Sequence, residues 1–481
     1  MMGTNQPQKD LFNYCVDLDK RVRPDHRLRR VAAVLDLSFV RPLVADFYGR
    51  NGQVSVDPEV LVKMMLLLFL DDVPSERELM AVIAERLDYM WFLGYGLDDP
   101  IPNHSVLSKA RARWGKEVFR TLFERTVAQC LGAGLVEGKK LHVDSSLIKA
   151  NASKDSVLQT SPELAAALRQ AYETQEQKLQ ELTPGSVNAT HVSTSDPEAT
   201  LARGRGTPVN LSYKHHRAID DAQGVITAVK TTTGIASDPA QLQELVGQHE
   251  ENTGQAAETV VGDKHYGTAE NYRYCQAQGI TSHLGQAHTN IKGGVFSPAQ
   301  FEYETEGDRY RCPAGEYLYY YNFRKEQQLV EYRIKDPVTC AGCKFRSECT
   351  HSKTGRAVTR PLFSELVKAG CEQARSQSAR RDLARRKHLL EGSFADASNN
   401  HGFKRARWRG LWRQQIQDWL IAAVQNMRIL LKNRIKPAGS SAEVVSQELC
   451  TAVWWLVNFS ACLFAWLTLR AHRTQLVAPL G

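Results

Sequence analysis

The sequence predicts a mixed α/β fold, preceded by an all-helical segment and interrupted by a small cysteine-rich insertion. Three observations predict it. Helix signals with capping residues fill the first 135 positions, strand-like alternation interleaved with helical periodicity begins at Gly138, and clustered cysteines break that rhythm between Pro298 and Thr359. At 481 residues the chain exceeds one ordinary core, since domains usually hold about 100–200 residues. Hydrophobic residues make up 42% and charged residues 24%, a balance that buries a core and excludes general disorder.

The helical segment is read from its caps. Asp57-Pro58 supplies an N-cap and a proline at the first helical position, and the apolar run Val60 to Leu70 then ends in the turn Asp71-Asp72-Val73-Pro74. Ser75 and Glu78 have the spacing of a capping box, ahead of Leu79, Val82, Ile83 and Leu87 at helical intervals. A third helix starts near Asn103 and carries Lys109, Arg111 and Arg113. Helix, short turn, helix and basic helix is the order of a helix-turn-helix DNA reader, and equally of a small helical packing unit.

Strand patterns follow. KKLHVDSSLI alternates like a half-buried strand and places Asp144 near its end. A polar helical stretch from Ser161 to Leu182 and a Ser/Thr/Gly-rich linker lead to NLSYKHHRAID and GVITAVKTTT, joined by Asp220, Asp221 and Gly224. A helix from Pro239 to Gly247 then precedes ETVVGD, which ends at Asp263. Loops at strand ends are where α/β sheets place their chemistry. After the insertion come a basic helix through Glu391 and the segment RQQIQDWLIAAVQNMRILLKNRIK, whose Ile416, Leu420, Val424, Met427 and Leu431 mark a core-facing stripe. The expected divisions are 1–135, 136–290, 291–370 for the insertion, 371–436, and an apolar helical tail at 437–481.

The net charge of +8 is mild, so distribution matters more than total. Basic residues crowd between Arg375 and Lys436, a run that either neutralises phosphates or forms a solvated helical face. The amino terminus lacks a basic-then-apolar pattern, so a cytoplasmic, reducing setting is expected. The nearly charge-free segment Val453 to Leu469 is interrupted by Asn458, Ser460 and Thr468, and is read as a packed or partner-binding helix rather than a membrane anchor.

Cys312, Cys340, Cys343 and Cys349 are spaced C-x27-C-x2-C-x5-C. Four thiolates with one close pair make a tetrahedral zinc site that stabilises a small subdomain; reduced structural thiols are the alternative. Cys15, Cys130, Cys275, Cys371, Cys450 and Cys462 are scattered and read as packing. Asp144, Asp263 and Glu391 are carboxylates on widely separated segments, LHVDSSLIKANAS, VVGDKHYGTAENY and RRKHLLEGSFADASNNHGFKRARWRG. Hard oxygen ligands of this type hold Mg²⁺, with water and substrate filling the other positions. Each taken singly also reads as a cap or turn former.

Together these segments, with PEVLVKMMLL, SERELM and QNMRILLK, resemble the bacterial insertion-sequence transposases of the DDE type over roughly residues 20–436. The resemblance implies a ribonuclease H-like catalytic core with Asp144 on its first strand, Asp263 after its fourth and Glu391 on a later helix. It implies two Mg²⁺ or Mn²⁺ ions on these carboxylates, hydrolysis of a phosphodiester at element ends, and strand transfer into target DNA. Double-stranded DNA, a homodimer or larger assembly on it, and a nucleoid-associated location follow as expectations. Lys109, Arg111, Arg113, Lys214, Arg385, Arg386, Lys387, Arg405, Arg407 and Arg409 are the candidate DNA contacts. Many relatives carry Arg four positions before the glutamate; this chain has Lys387 there, and Glu302, Glu306 and Glu331 are weaker rivals for the third ligand. A non-catalytic DNA-binding derivative and a plain metal-dependent nuclease are the alternative functions.

Overall fold

A computed structural model describes residues 17–49, 55–172, 187–204, 206, 208–285, 295–324, 329–361 and 363–434. The tail at 437–481, with Val453 to Leu469, Cys450 and Cys462, lies outside the described residues, as does Cys15.

The amino-terminal part forms α1 (Leu18–Arg21), α2 (Arg27–Ala32), α3 (Val40–Val44), α4 (Pro58–Leu70), α5 (Glu76–Glu85), α6 (Leu87–Leu93), α7 (Ser105–Trp114) and α8 (Glu117–Gly132). The caps fall where expected: Asp57 accepts from the Glu59 N–H, and Ser75 from the Glu78 N–H. Helix α4 is buried along nearly its whole length from Leu61 to Leu70, as befits a helix that is apolar on most sides.

The main sheet starts with β1 (Lys140–Lys149). The short β2 (Val157–Gln159), α9 (Pro162–Tyr172), α10 (Val187–Thr190), β3 (His191–Ser193) and β4 (Thr200–Ala202) precede the long hairpin of β5 (Asn210–Asp220) and β6 (Ile226–Thr233). Then come α11 (Leu242–Thr253), β7 (Thr259–Gly262), α12 (Ala269–Ala277) and β8 (Thr281–Leu284). The order is β4-β5-β1-β7-β8, with β6 also on β5; β5 runs antiparallel to β1, whereas β7 and β8 run parallel to it. This is the ribonuclease H-like arrangement: an antiparallel hairpin on one side of the central strand and parallel strands on the other.

Strand β9 (Glu302–Glu304), β10 (Arg309–Arg311), β11 (Tyr317–Arg324), β12 (Leu329–Ile334) and β13 (Ala357–Pro361) form a separate antiparallel meander, with the short helices α13 (Pro337–Ala341) and α14 (Arg346–Cys349) between its last two strands. Its own small core is Phe301, Leu318, Tyr332 and Val358. The chain then returns as α15 (Ser364–Arg375), α16 (Gln377–Asn400) and α17 (Leu411–Arg434).

Period-two alternation sorts the main sheet's side chains between two cores. Leu141, Val143, Ala218, Ala228 and Val260 meet α11, α12 and α15 on one face, while Ile148, Leu211, Tyr213, Ile219 and Val229 join α16, α17 and the amino-terminal helices on the other. The helical segment therefore shares one continuous core with the sheet and α17. Cys130 Sγ of α8 lies 3.6 Å from the Asn426 carbonyl oxygen of α17. Among the described residues no helix is long and apolar enough to cross a membrane.

Candidate functional site

Asp144 and Asp263 meet because of sheet register. β1 and β7 pair in parallel as Lys140 with Thr259, Leu141 with Val260 and His142 with Val261. Continuing that register two residues brings Asp144 level with Asp263, on the same face as His142. Burial raises the Asp144 carboxyl above the usual carboxylate range, and the negative charge of Asp263 pushes the same way. The Arg386 guanidinium and the Ser145 N–H pull against that shift. Arg386 Nη1 lies 2.9 Å from Asp144 Oδ2, and the Ser145 N–H donates to Asp144 Oδ1 at 2.8 Å.

The turn carrying Asp263 owes its shape to glycines. A Cβ on Gly262 would come within 2.9 Å of Tyr266 and Leu284, and one on Gly267 within 2.1 Å of the Gly285 carbonyl oxygen. A larger residue at Gly262 would push on the Tyr266 and Leu284 side chains, and one at Gly267 would have to move backbone. The turn is closed by His265 N–H donating to Asp263 Oδ1 at 2.8 Å, and Tyr266 is buried beneath it.

Helix α16 is fastened across this face by an electrostatic row. Asp382 takes Lys140 Nζ at 2.8 Å and His283 Nδ1 at 2.7 Å. Arg385 pairs with Asp221, which also meets buried His142 Nε2 at 2.7 Å; Arg386 pairs with Asp144. Farther along, Arg217 Nη1 of β5 donates to Ser393 Oγ at 2.6 Å. Glu391 sits on α16 between these anchors, exposed to solvent. Among the described residues no three His, Cys, Asp or Glu side chains stand at the separation that holds a metal ion. Asp144 and Asp263 are thus brought together, while Glu391 lies exposed on the helix that crosses this face and does not close on them. Two neighbouring carboxylates, the charge of Asp263 raising the Asp144 carboxyl, have the donor chemistry of a divalent-cation site.

The rival glutamates fall elsewhere. Glu331 is held on the meander by Arg324 and Arg333, and Glu302 lies on its edge strand β9. Glu306 is exposed in the turn before β10.

Several expected DNA contacts point inward instead. Arg111 is 2% exposed, pairs with Glu76 and stacks 3.8 Å from the Trp408 ring centroid. Arg407 pairs with Asp72, bonds the Val73 carbonyl and covers the Phe69 ring. Lys214 Nζ bonds the Ala236 carbonyl and Asp238. These three act within the fold, because each finds its partner in a segment remote in sequence or across a turn. Lys109, Arg113, Lys387, Arg405 and Arg409 remain exposed. The sequence reading missed Arg217 and Lys404; Lys404 Nζ reaches Ser146 Oγ at 2.6 Å, on the face of β1 that carries Asp144. An arginine at an inward position of an alternating strand, in HHRAID, was the available signal for the first.

Cys312, Cys340, Cys343 and Cys349 are free thiols lining one cavity of about 30 Å³ together with Phe296 and Phe345. Burial pushes the Cys349 thiol up; Arg356 opposes this, and the other three thiols add to it.

Two family models match the chain. One, described as "Transposase domain (DUF772)", covers residues 16–113, and the other, described as "Transposase DDE domain", covers residues 311–431, a span that includes Glu391 and the four cysteines. Among solved structures, a Mos1 transposase paired-end complex with left transposon end is similar at 11% identity and a TM-score of 0.17, over 55% of this chain and 67% of that one. A piggyBac transposase synaptic complex with hairpin DNA is similar at 9% identity and a TM-score of 0.26, over 89% and 85%. A Mos1 mariner paired end complex with Mn gives 12% identity and a TM-score of 0.16, over 76% and 86%. No curated protein sequence matches the chain. With one transposase model on its amino-terminal helices and a transposase DDE model running from the meander through α17, the chain is similar to the DDE transposases over those two spans.

Proposed function

We propose that the chain cuts DNA at the ends of an insertion sequence and joins the freed 3′-hydroxyl to target DNA, with Asp144, Asp263 and Glu391 as its metal ligands. The observation that carries this is the placement of Asp144 and Asp263 level on neighbouring parallel strands, under the helix that presents Glu391. Bound there, two Mg²⁺ or Mn²⁺ ions would activate the attacking oxygen and stabilise the leaving one. The chain's own residues bind and orient. Asp144 and Asp263 offer hard oxygens from a rigid sheet, and Arg386 holds Asp144 in place until substrate arrives. Lys404 and Lys387, beside the same face, meet the phosphodiester, with Lys109, Arg113, Arg405 and Arg409 as wider contacts to double-stranded DNA. Pairing two element ends calls for a dimer or larger assembly.

The test is cleavage of a plasmid carrying the element's ends in Mg²⁺ or Mn²⁺, by the parent and by Asp144→Ala, Asp263→Ala and Glu391→Ala. Each variant should lose cleavage while retaining DNA binding. Unchanged cleavage removes that residue from the site. Absence of cleavage in the parent, with binding intact, leaves a DNA-binding derivative; cleavage without joined products leaves a nuclease.

We also infer that the four cysteines of the meander hold one structural Zn²⁺. They line one cavity, at separations that would have to close around an ion, and the meander's own core is four residues, too little to stabilise it unaided. Bound zinc would reverse the upward push on Cys349, since coordinated thiols are deprotonated. Metal analysis of the full chain should give one zinc per chain, lost in Cys340→Ser; a zinc-free folded parent would overturn it.

A further inference from the structure

We propose that Arg217 is a positioning residue that fixes Glu391's stretch of α16 over Asp144's strand; this rests on the active-site reading above. Arg217 is the direct cross-strand partner of Asp144 in the β1–β5 ladder, so its side chain stands on the same face of the sheet. It is fully buried, with its guanidinium 4.3 Å from the Phe394 ring centroid and 5.2 Å from that of Phe403. An unpaired cation is costly in such a place.

Its bonds tie three elements together. Nη1 donates to Ser393 Oγ at 2.6 Å and to Gln425 Oε1 at 3.2 Å. The Gln425 amide in turn donates to the Ser393 carbonyl at 2.8 Å and to Asp396 Oδ2 at 2.9 Å. Arg217 and Gln425 therefore grip the same turn of α16, which begins just after Glu391. On its other side Arg217 Nε donates to His215 Nε2 at 2.9 Å, and His215 Nδ1 lies 2.9 Å from Asp418 of α17. Arginine can only donate, so His215 Nε2 accepts, and its proton sits on Nδ1 toward Asp418.

Without this grip the turn that follows Glu391 loses its hydrogen bonds to the sheet and keeps the packing of Leu390, Phe394 and Ala397 and the Asp396–Arg428 pair. Nη2 of Arg217 makes no hydrogen bond among the described residues. Asp144 acts on the same guanidinium electrostatically, as do Asp418 and Asp396, which offset the pull of burial. A cation placed between the strand of the first carboxylate and the helix of the third sets their spacing.

The test is Mn²⁺ binding by calorimetry, with DNA cleavage alongside, for the full chain and for Arg217→Met, Arg217→Lys, Ser393→Ala and Asp144→Ala. Arg217→Met should lower the thermal midpoint, because Ser393, Gln425 and His215 lose a donor, yet remain folded and weaken Mn²⁺ about tenfold or more, the usual scale for residues that orient metal ligands. Arg217→Lys should recover part of the loss, and Ser393→Ala should show a smaller one. Should Arg217→Met fail to fold, Arg217→Lys and Ser393→Ala decide. Mn²⁺ affinity within about twofold of the parent in every folded Arg217 and Ser393 variant would overturn the proposal. If instead Asp144→Ala binds Mn²⁺ like the parent, the active-site reading itself has failed, and this proposal with it.

Discussion

Arg386 of α16 stands 2.9 Å from Asp144 of β1, so the helix bearing the third carboxylate is pinned to the strand bearing the first. A metal ion on Asp144 must share or displace that guanidinium. Arg386→Ala is therefore expected to lose about 1.5–3 kcal/mol of stability without metal, the range for a charge-assisted hydrogen bond. Its thermal midpoint should then rise more on adding Mn²⁺ than the parent's does, because the ion replaces a missing counter-charge. Equal Mn²⁺ shifts in thermal unfolding would show that the ion does not use Asp144.

The turn of Asp263 offers a steric test. A methyl at position 267 would meet the Gly285 carbonyl oxygen at 2.1 Å, so backbone has to move. Gly267→Ala should cost about 1–3 kcal/mol in urea unfolding. Cleavage should fall further than stability does, since the displaced turn carries Asp263, a proposed metal ligand. Parent-like cleavage in that variant would mean the turn tolerates displacement.

Arg111 and Lys109 share helix α7 but should behave oppositely. Arg111→Ala removes a buried guanidinium and leaves the half-buried Glu76 carboxylate to the Trp408 N–H, at a cost of about 3 kcal/mol, with the salt dependence of DNA binding unaltered. Lys109→Ala, at an exposed position, should leave unfolding unchanged and flatten the salt dependence by roughly one counterion. Urea unfolding and salt titration of DNA affinity separate the two outcomes.

Asp396 gives a pH dependence. Burial raises its carboxyl, but hydrogen bonds from His401, Gln425 and Asn400 and the charge of Arg428 outweigh this and hold it well below the usual carboxylate range. A depressed carboxyl contributes stability that is present above the unfolded-state pKa and is lost as pH falls through the folded one. Asp396→Asn should thus be destabilised by about 1–3 kcal/mol at neutral pH. The gap should close as unfolding is followed toward about pH 3 and below; a gap that is constant with pH would mean the charge contributes nothing.

Much of the sheet was legible in the sequence because alternation and turn residues are local signals. KKLHVDSSLI and ETVVGD formed strands, with Asp144 within the first and Asp263 directly after the second; that the two strands are neighbours was in neither pattern. The caps at Asp57 and Ser75 were equally local. What stayed hidden depends on remote partners. Nothing near Arg111 announces Glu76 and Trp408, and nothing near Arg407 announces Asp72. The basic helix of an expected DNA reader consequently turned one of its three charges into the core. Likewise Arg217 gains its role only when β5, α16 and α17 come together.

The shared core of α8 and α17 has a consequence for biosynthesis. The Cys130–Asn426 contact spans 296 positions, so a ribosome moving at about 5–20 residues per second needs roughly 15–60 s to supply the second partner after the first. Until then the apolar faces of α4 and α8 wait unpaired, and a chain terminated before Leu411 never receives their cover. Prematurely ended copies of this protein should accordingly be removed by proteolysis rather than persist as free competitors for DNA.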